Sequence, residues 1–387
     1  MYKVHCMNVI AKAGTDKLGD GYELTDKLED ADAVLVRSAS MHELELPEGL
    51  MAIARAGAGV NNIPLEECAK KGIVVFNTPG ANANGVKELV LAGMLLAARD
   101  ISGGIQWVHE NANDPEVAKK TEKKKKGFAG TEIGGKTLGV IGLGAIGVLV
   151  ANAARNLGMK VLGYDPYISI EGAWNLDHHV RRVNDLDTLL EESDYITIHV
   201  PAMDSTKGMI DAAAIGKMKE GTVFLNFARD LLVDEEAMAA ALESGKVRHY
   251  VSDFPNALSV KMKNAIVVPH LGASTEEAEE NCAVMAAKEI RQYLEEGNIS
   301  NSVNFPKIDL GPMKSESRLA IFHKNIPNMI GQISTTLSSI GVNIANMSDK
   351  SKGEFAYSLI DAESHIDQEV LDRLKAIEGV YRVRKIQ

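Results

Sequence analysis

The chain has 387 residues, with 42 Lys and Arg against 53 Asp and Glu, a formal charge of −11 at pH 7. This length means two or three domains, and 45% apolar with 25% charged residues excludes wholesale disorder, a collagen-like repeat or a membrane bundle. The acidic balance argues against nucleic acid as a partner, because phosphate backbones need clustered cations.

Short apolar runs punctuate the first 300 or so residues. Ala33–Arg37, Ile73–Asn77, Leu138–Gly142, Lys160–Asp165, Tyr195–His199, Thr222–Ala228 and Ala265–His270 each read as a buried strand. Helical patterns lie between several of them, such as Glu235–Gly245, with acids at the start and Gly at the end. That alternation predicts right-handed crossovers and α/β domains with doubly wound parallel sheets. Between Asn298 and Ser317 the chain turns polar, carries two prolines and reads as a linker. Beyond it, Arg318–His323, Met329–Gly341, a Y-S-L-I-D segment, V-L-D-R-L-K-A-I and a closing Y-R-V-R-K-I give the order βαββαβ. The expected architecture is therefore two doubly wound parallel-sheet, Rossmann-like domains plus a small C-terminal βαββαβ unit that folds separately.

The strongest motif is G-L-G-A-I-G, Gly142 to Gly147, which follows a predicted strand and opens a predicted helix. In this context G-x-G-x-x-G makes a dinucleotide site. Gly142 allows a tight turn, Gly144 lets the backbone approach a pyrophosphate, and Gly147 permits close packing of helix on strand. The amides of Ala145 and Ile146 then sit at the helix N-terminus, where anions are favoured. Asp165 closes the next strand, where its carboxylate can accept both ribose hydroxyls and repel a 2′-phosphate, so NAD is preferred to NADP. His199, Arg229 and His270 stand at strand ends, the edge where such sheets bind ligands. A cation for a carboxylate and an imidazole for proton transfer make a sensible pair beside a nicotinamide.

The ordered set R-A-G-A-G-V-N-N-I (55–63), N-T-P (77–79), G-L-G-A-I-G, Y-D-P (164–166), H-V-P (199–201), N-F-A-R (226–229) and P-H-L-G-A-S-T (269–275) resembles the D-2-hydroxyacid dehydrogenase family. With V-R-S-A-S (36–40) and the C-terminal unit, it is similar to the members that oxidise phosphoglycerate and carry an ACT regulatory domain. The resemblance implies a discontinuous substrate domain (1–92 and 278–306), an NAD-binding domain (93–277), a linker (307–317) and an ACT-like domain (318–387). It implies that His270 is the general base and Arg229 the carboxylate anchor for a small anionic 2-hydroxy or 2-oxo acid. Ala58, Gly59 and Val60 would complete the carboxylate cradle, with Arg37 and Arg55 taking a phosphate. His199, Pro201, Thr206, Phe227 and Asp253 map to cofactor positions. His323, Asn325 and Asn343 map to an L-serine effector site, and a homodimer or homotetramer is implied. No metal is expected.

Two departures stand out. The family's His-orienting Glu is absent between Asp253 and His270, and Asp230 follows Arg229 where Gly is usual. A hydroxypyruvate or glyoxylate reductase and a weakly active NAD-sensing protein are the alternative readings. Asn328 stands where serine-responsive ACT domains have Gly. The lysine run 119–126 reads as a solvated loop. Cys6, Cys68 and Cys282 lack metal or redox spacing and read as reduced packing residues. No signal peptide is visible, and the longest apolar stretch, 89–98, is half a membrane span, so a cytoplasmic protein with no membrane partner is expected.

Overall fold

The computed structural model describes residues 1–386; Gln387, the last residue of the expected C-terminal domain, lies outside them. The chain divides into a unit of Met1–Ala81 with Glu276–Gln387 and a unit of Asn82–Thr275. This division falls at 81/82 and 275/276, beside the expected boundaries at 92/93 and 277/278, and the C-terminal βαββαβ segment packs within the first unit.

The first unit opens with β1 (Tyr2–Cys6), α1 (Lys12–Thr15), β2 (Tyr22–Thr25), β3 (Ala33–Val36), β4 (Ala52–Arg55), α2 (Leu65–Lys70) and β5 (Val74–Phe76). All pairs are parallel, in the order β2-β1-β3-β4-β5. Strands β3 and β5 are buried throughout, which is why they read as unbroken apolar runs. By contrast β1 and β2 are half-exposed and mixed in composition, and no such run announces them.

The second unit contains α3 (Ala83–Ala98), α4 (Ile101–Glu110), α5 (Val117–Lys124), β6 (Thr137–Ile141), α6 (Ala145–Asn156), β7 (Lys160–Tyr164), α7 (Ile170–Asn175) and β8 (Arg181–Arg182). It continues through α8 (Leu186–Glu192), β9 (Tyr195–Ile198), α9 (Ala212–Lys217), β10 (Thr222–Asn226), α10 (Glu235–Ser244), β11 (Val247–Ser252) and β12 (Ala265–Val267). Seven parallel strands run β12-β11-β10-β9-β6-β7-β8. Strand order reverses at β6/β9, the dinucleotide-binding arrangement with one strand added. Helices α3 and α6 cover one face through Val90, Met94, Val150 and Ala151, and α8 to α10 cover the other. The lysine run is helical and not a loop: Lys119, Lys120 and Lys125 pair locally with Glu116, Asp114 and Glu122.

The first unit resumes with α11 (Glu276–Glu296), β13 (Ser317–Lys324), α12 (Met329–Ser339), β14 (Ile344–Lys352), β15 (Phe355–Ala362), α13 (Gln368–Lys375) and β16 (Val380–Ile386). Here an antiparallel sheet, β14-β15-β13-β16, forms with the expected element order. One face packs on α12 and α13 through Leu319, Ile321, Ile360, Ile333 and Leu374. The opposite face, Phe322, Tyr357, Leu359 and Ile386, joins Phe76, Ile290, Tyr293, Leu294 and Phe305 in one core. The expected βαββαβ unit thus shares one core with α11 and the residues around Phe305. Alternation along each strand supplies two apolar faces, and the second must be buried too.

Nor is the segment 307–317 a free linker. Asn298 bonds Gly311 and Leu310, Met313 N–H meets Glu296, and Ile299 bridges Ile308. Arg318, fully buried, makes a bidentate pair with Asp361 at 2.6 and 2.9 Å and donates to the carbonyls of Glu296 and Gly311. Arg382 donates to the carbonyls of Glu48 and Leu50.

Glu289 on α11 is a buried acid with an unpartnered oxygen: Oε1 accepts from Asn301 at 2.6 Å, and Oε2 has no partner among the described residues. Burial pushes its pKa up from 4.5 to about 8. The unfolded chain therefore loses this proton first, and stability falls as pH rises through that window. Glu289→Gln is expected to raise the melting temperature at pH 8 while changing it little at pH 5. Equal shifts at both values in a thermal melt would remove the ionisation argument.

Candidate active site

In the second unit the sequence-predicted residues line up along the carboxyl edge of one sheet. Reading across, His270 follows β12, Asp253 follows β11, Arg229 lies beyond β10, His199 follows β9, Gly142 follows β6 and Asp165 follows β7. Strands lie about 4.8 Å apart, so β10 and β12 are separated by roughly 10 Å.

The glycine turn is built as its spacing requires. Gly142 has φ +90°, and a Cβ there would lie 2.7 Å from the His199 carbonyl. A Cβ on Gly147 would lie 1.9 Å from the Gly142 carbonyl, so only Gly lets α6 start this close to β6. Gly144 faces open space and caps α6 without a side-chain bond. Among the described residues nothing accepts the amides of Ala145 or Ile146. These donors are free for an anion. Asp165 accepts Leu143 N–H and Tyr167 N–H, one on each carboxylate oxygen, both at 2.8 Å. The same carboxylate thus braces the turn and keeps lone pairs for hydroxyl donors.

His199 contacts Thr197 Oγ1 through Nε2 at 2.9 Å, while Nδ1 is sealed from solvent without a partner. Burial pushes its pKa down to about 3, so the ring is neutral. Thr206 Oγ1 donates to the Pro201 carbonyl and closes that loop. The Phe227 side chain is buried against Gly93 of α3 and belongs to the core, which leaves its backbone for the expected cofactor position. Asp253 is also committed inward. Its two oxygens accept Leu271 and Gly272 N–H at 2.7 and 2.9 Å, and burial pushes its carboxyl up while these bonds oppose the shift.

His270 is exposed and held at φ +55° at the start of that turn. Its ring meets the edge of Phe254 at 5.1 Å, and among the described residues no carboxylate hydrogen-bonds it. Sequence reasoning passed over Phe254, an apolar residue in a loop with no motif of its own. Arg229 is fixed through its backbone, whose carbonyl accepts from Asn226 at 2.8 Å; its Nη1 donates to Ala228 at 2.6 Å.

In the first unit, the amides of Ala58, Gly59 and Val60 have no acceptor among the described residues. Arg55 Nε donates to the Arg37 carbonyl at 2.9 Å and Nη1 to Gly59. Arg37 pairs with Glu279. The three effector candidates do not converge. His323 is buried between Asp349, Ser358 and its neighbour's carbonyl at 2.8–3.1 Å, and Asn325 bonds Gly353. Asn343 bonds Glu363 at the other end of β14. Asn328 takes φ +68°, the left-handed conformation the usual Gly would supply. All three cysteines are free.

The family described as D-isomer specific 2-hydroxyacid dehydrogenase, NAD binding domain, matches residues 91–272. The D-3-phosphoglycerate dehydrogenase of Haemophilus influenzae is 32% identical over 379 residues, 94% of this chain and 89% of the relative. The chain belongs to the D-2-hydroxyacid dehydrogenase family. A D-3-phosphoglycerate dehydrogenase of Methanocaldococcus jannaschii is 38% identical over 317 residues, 79% of this chain, which spans 58% of that longer relative. Among solved structures, the NAD+-bound 3-phosphoglycerate dehydrogenase of Entamoeba histolytica superposes with a TM-score of 0.61 at 29% identity, over 78% of this chain and 98% of that one. The second unit is thus the NAD-binding domain of a D-2-hydroxyacid dehydrogenase, and NAD fits the open face at Gly144 and the unpaired amides beside it. Asp165→Ala is expected to narrow the preference for NADH over NADPH; equal binding of both by the unmutated chain, measured by fluorescence titration, would refute the ribose assignment.

Proposed function

We propose that the chain oxidises D-3-phosphoglycerate to 3-phosphohydroxypyruvate with NAD. The observation that carries this is the placement of Arg229 and His270 on the sheet edge that presents the NAD turn. Arg229 binds the substrate carboxylate and polarises the oxygen that becomes the carbonyl. His270 Nδ1 or Nε2 takes the hydroxyl proton. NAD held at the Gly142–Gly147 turn would supply the hydride acceptor, so that hydroxy acid and NAD+ give oxo acid, NADH and a proton. Within the first unit, the amides of Ala58, Gly59 and Val60 are free to take an anion, and Arg37 and Arg55 favour a phosphorylated one. Those two arginines favour this reading over a hydroxypyruvate or glyoxylate reductase. Retention of both Arg229 and His270 favours it over a sensor without turnover. Turnover of 3-phosphohydroxypyruvate with NADH, compared with hydroxypyruvate and glyoxylate, tests it; a preference for either smaller acid would overturn it.

The C-terminal sheet is read as an ACT-like domain that responds to L-serine. Since β14 is an edge strand, antiparallel pairing of two copies along it brings Asn343 of one toward Asn325 of the other. His323, already engaged with Asp349, serves there as a brace and not as a contact. A homo-oligomer also accounts for Ile101, Ile105 and Val108, an exposed apolar stripe on α4. No helix among the described residues is long and apolar enough to cross a membrane; a cytoplasmic location is part of this proposal.

A further inference from the structure

Asn8 lies outside every motif, yet its geometry is definite. Its Oδ1 accepts three successive backbone amides, Arg37 at 3.0 Å, Ser38 at 3.1 Å and Ala39 at 3.1 Å. Successive N–H groups converging on one point form a nest of partial positive charge. Asn8 follows β1 and the nest follows β3, adjacent strands at which the order β2-β1-β3-β4-β5 reverses. That reversal is where doubly wound sheets bind ligands. The loop is held from other sides too, by Arg55 Nε on the Arg37 carbonyl at 2.9 Å and Asn62 on the Ala39 carbonyl at 2.8 Å. Both phosphate candidates, Arg37 and Arg55, therefore depend on a loop whose amides are gathered by a neutral oxygen.

We infer that Asn8 is a positioning residue for the phosphate end of the substrate: it shapes the Arg37–Ala39 loop without adding negative charge to that which Glu279 already sets on Arg37. This rests on the function proposed above. A carboxylate at position 8 would accept the same three amides and keep the loop shape. It would also set a full negative charge in the loop that carries Arg37 and receives Arg55 Nε, and a phosphate dianion would feel that charge more than a carboxylate monoanion does.

The test is Asn8→Asp in the full chain, assayed with NADH on 3-phosphohydroxypyruvate and on hydroxypyruvate. The expected result is a KM at least tenfold higher for the phosphorylated acid, under threefold higher for the other, and an unchanged melting temperature. The tenfold effect should shrink as ionic strength rises, because exposed charges are screened; a purely structural role would give no such salt dependence. Calorimetry with inorganic phosphate on the unmutated and Asn8→Asp chains provides a second readout, in which the variant should bind more weakly. If the unmutated chain prefers the phosphorylated acid but Asn8→Asp changes both KM values alike, or neither, this inference is wrong and the function stands. If the unmutated chain shows no such preference, the phosphate reading and this inference fall together.

Discussion

Ending the chain at Pro306 is expected to give an aggregated product, not an active enzyme deaf to its effector. The cut would strip Phe322, Tyr357, Leu359 and Ile386 from a core they share with Ile290, Tyr293, Leu294 and Phe305. Each large side chain contributes about 2 kcal/mol by leaving water. Four of them approach the whole stability of a typical domain, about 5–15 kcal/mol. The cut also removes the buried Arg318–Asp361 pair, whose guanidinium holds the end of α11 and Gly311. Expression of residues 1–306 beside the full chain, with soluble yield and thermal unfolding as readouts, checks this. A soluble fragment that unfolds cooperatively near the parent temperature would show that the C-terminal sheet is dispensable.

His270→Ala is expected to lower turnover by about 10²–10⁴-fold, the usual contribution of a general base, while NADH binding changes little. The imidazole lies at one end of the residue array, beyond the strand bearing Asp253, and among the described residues no hydrogen bond ties it to the glycine turn. Its loss should therefore remove proton transfer without disturbing the cofactor. Steady-state rates across neutral pH, paired with NADH titration, separate the two effects. Near-normal turnover in this variant would mean that another group takes the proton.

The cofactor turn and the two polar strand ends were readable from sequence because local chain geometry dictates them. A glycine that must take φ +90°, and another pressed within contact of a carbonyl, leave a fixed spacing in the chain. Fully buried parallel strands such as β3, β5 and β10 likewise write themselves as apolar runs. The short edge strand β8 and the half-exposed β1 and β2 leave no such trace. Phe227 shows the limit at one residue: its neighbours sit in a cofactor motif, but its side chain turns toward Gly93. Asn8 shows it at long range, since nothing about an Asn after β1 announces three amides from residues 37–39.

The sharpest contrast lies at the C-terminus. Sequence alone determined the βαββαβ order, because periodicity and turn residues act within a few positions of the chain. What that segment packs against was decided only by tertiary structure. A polar stretch with prolines describes a free linker and a pinned one equally well; the difference lies in partners, Asn298, Glu296 and Arg318, that the stretch meets only on folding. An antiparallel sheet with two apolar faces must bury both, and its helices cover one. The other face found α11, and burial of apolar surface, which acts without regard to sequence distance, made one core of two segments.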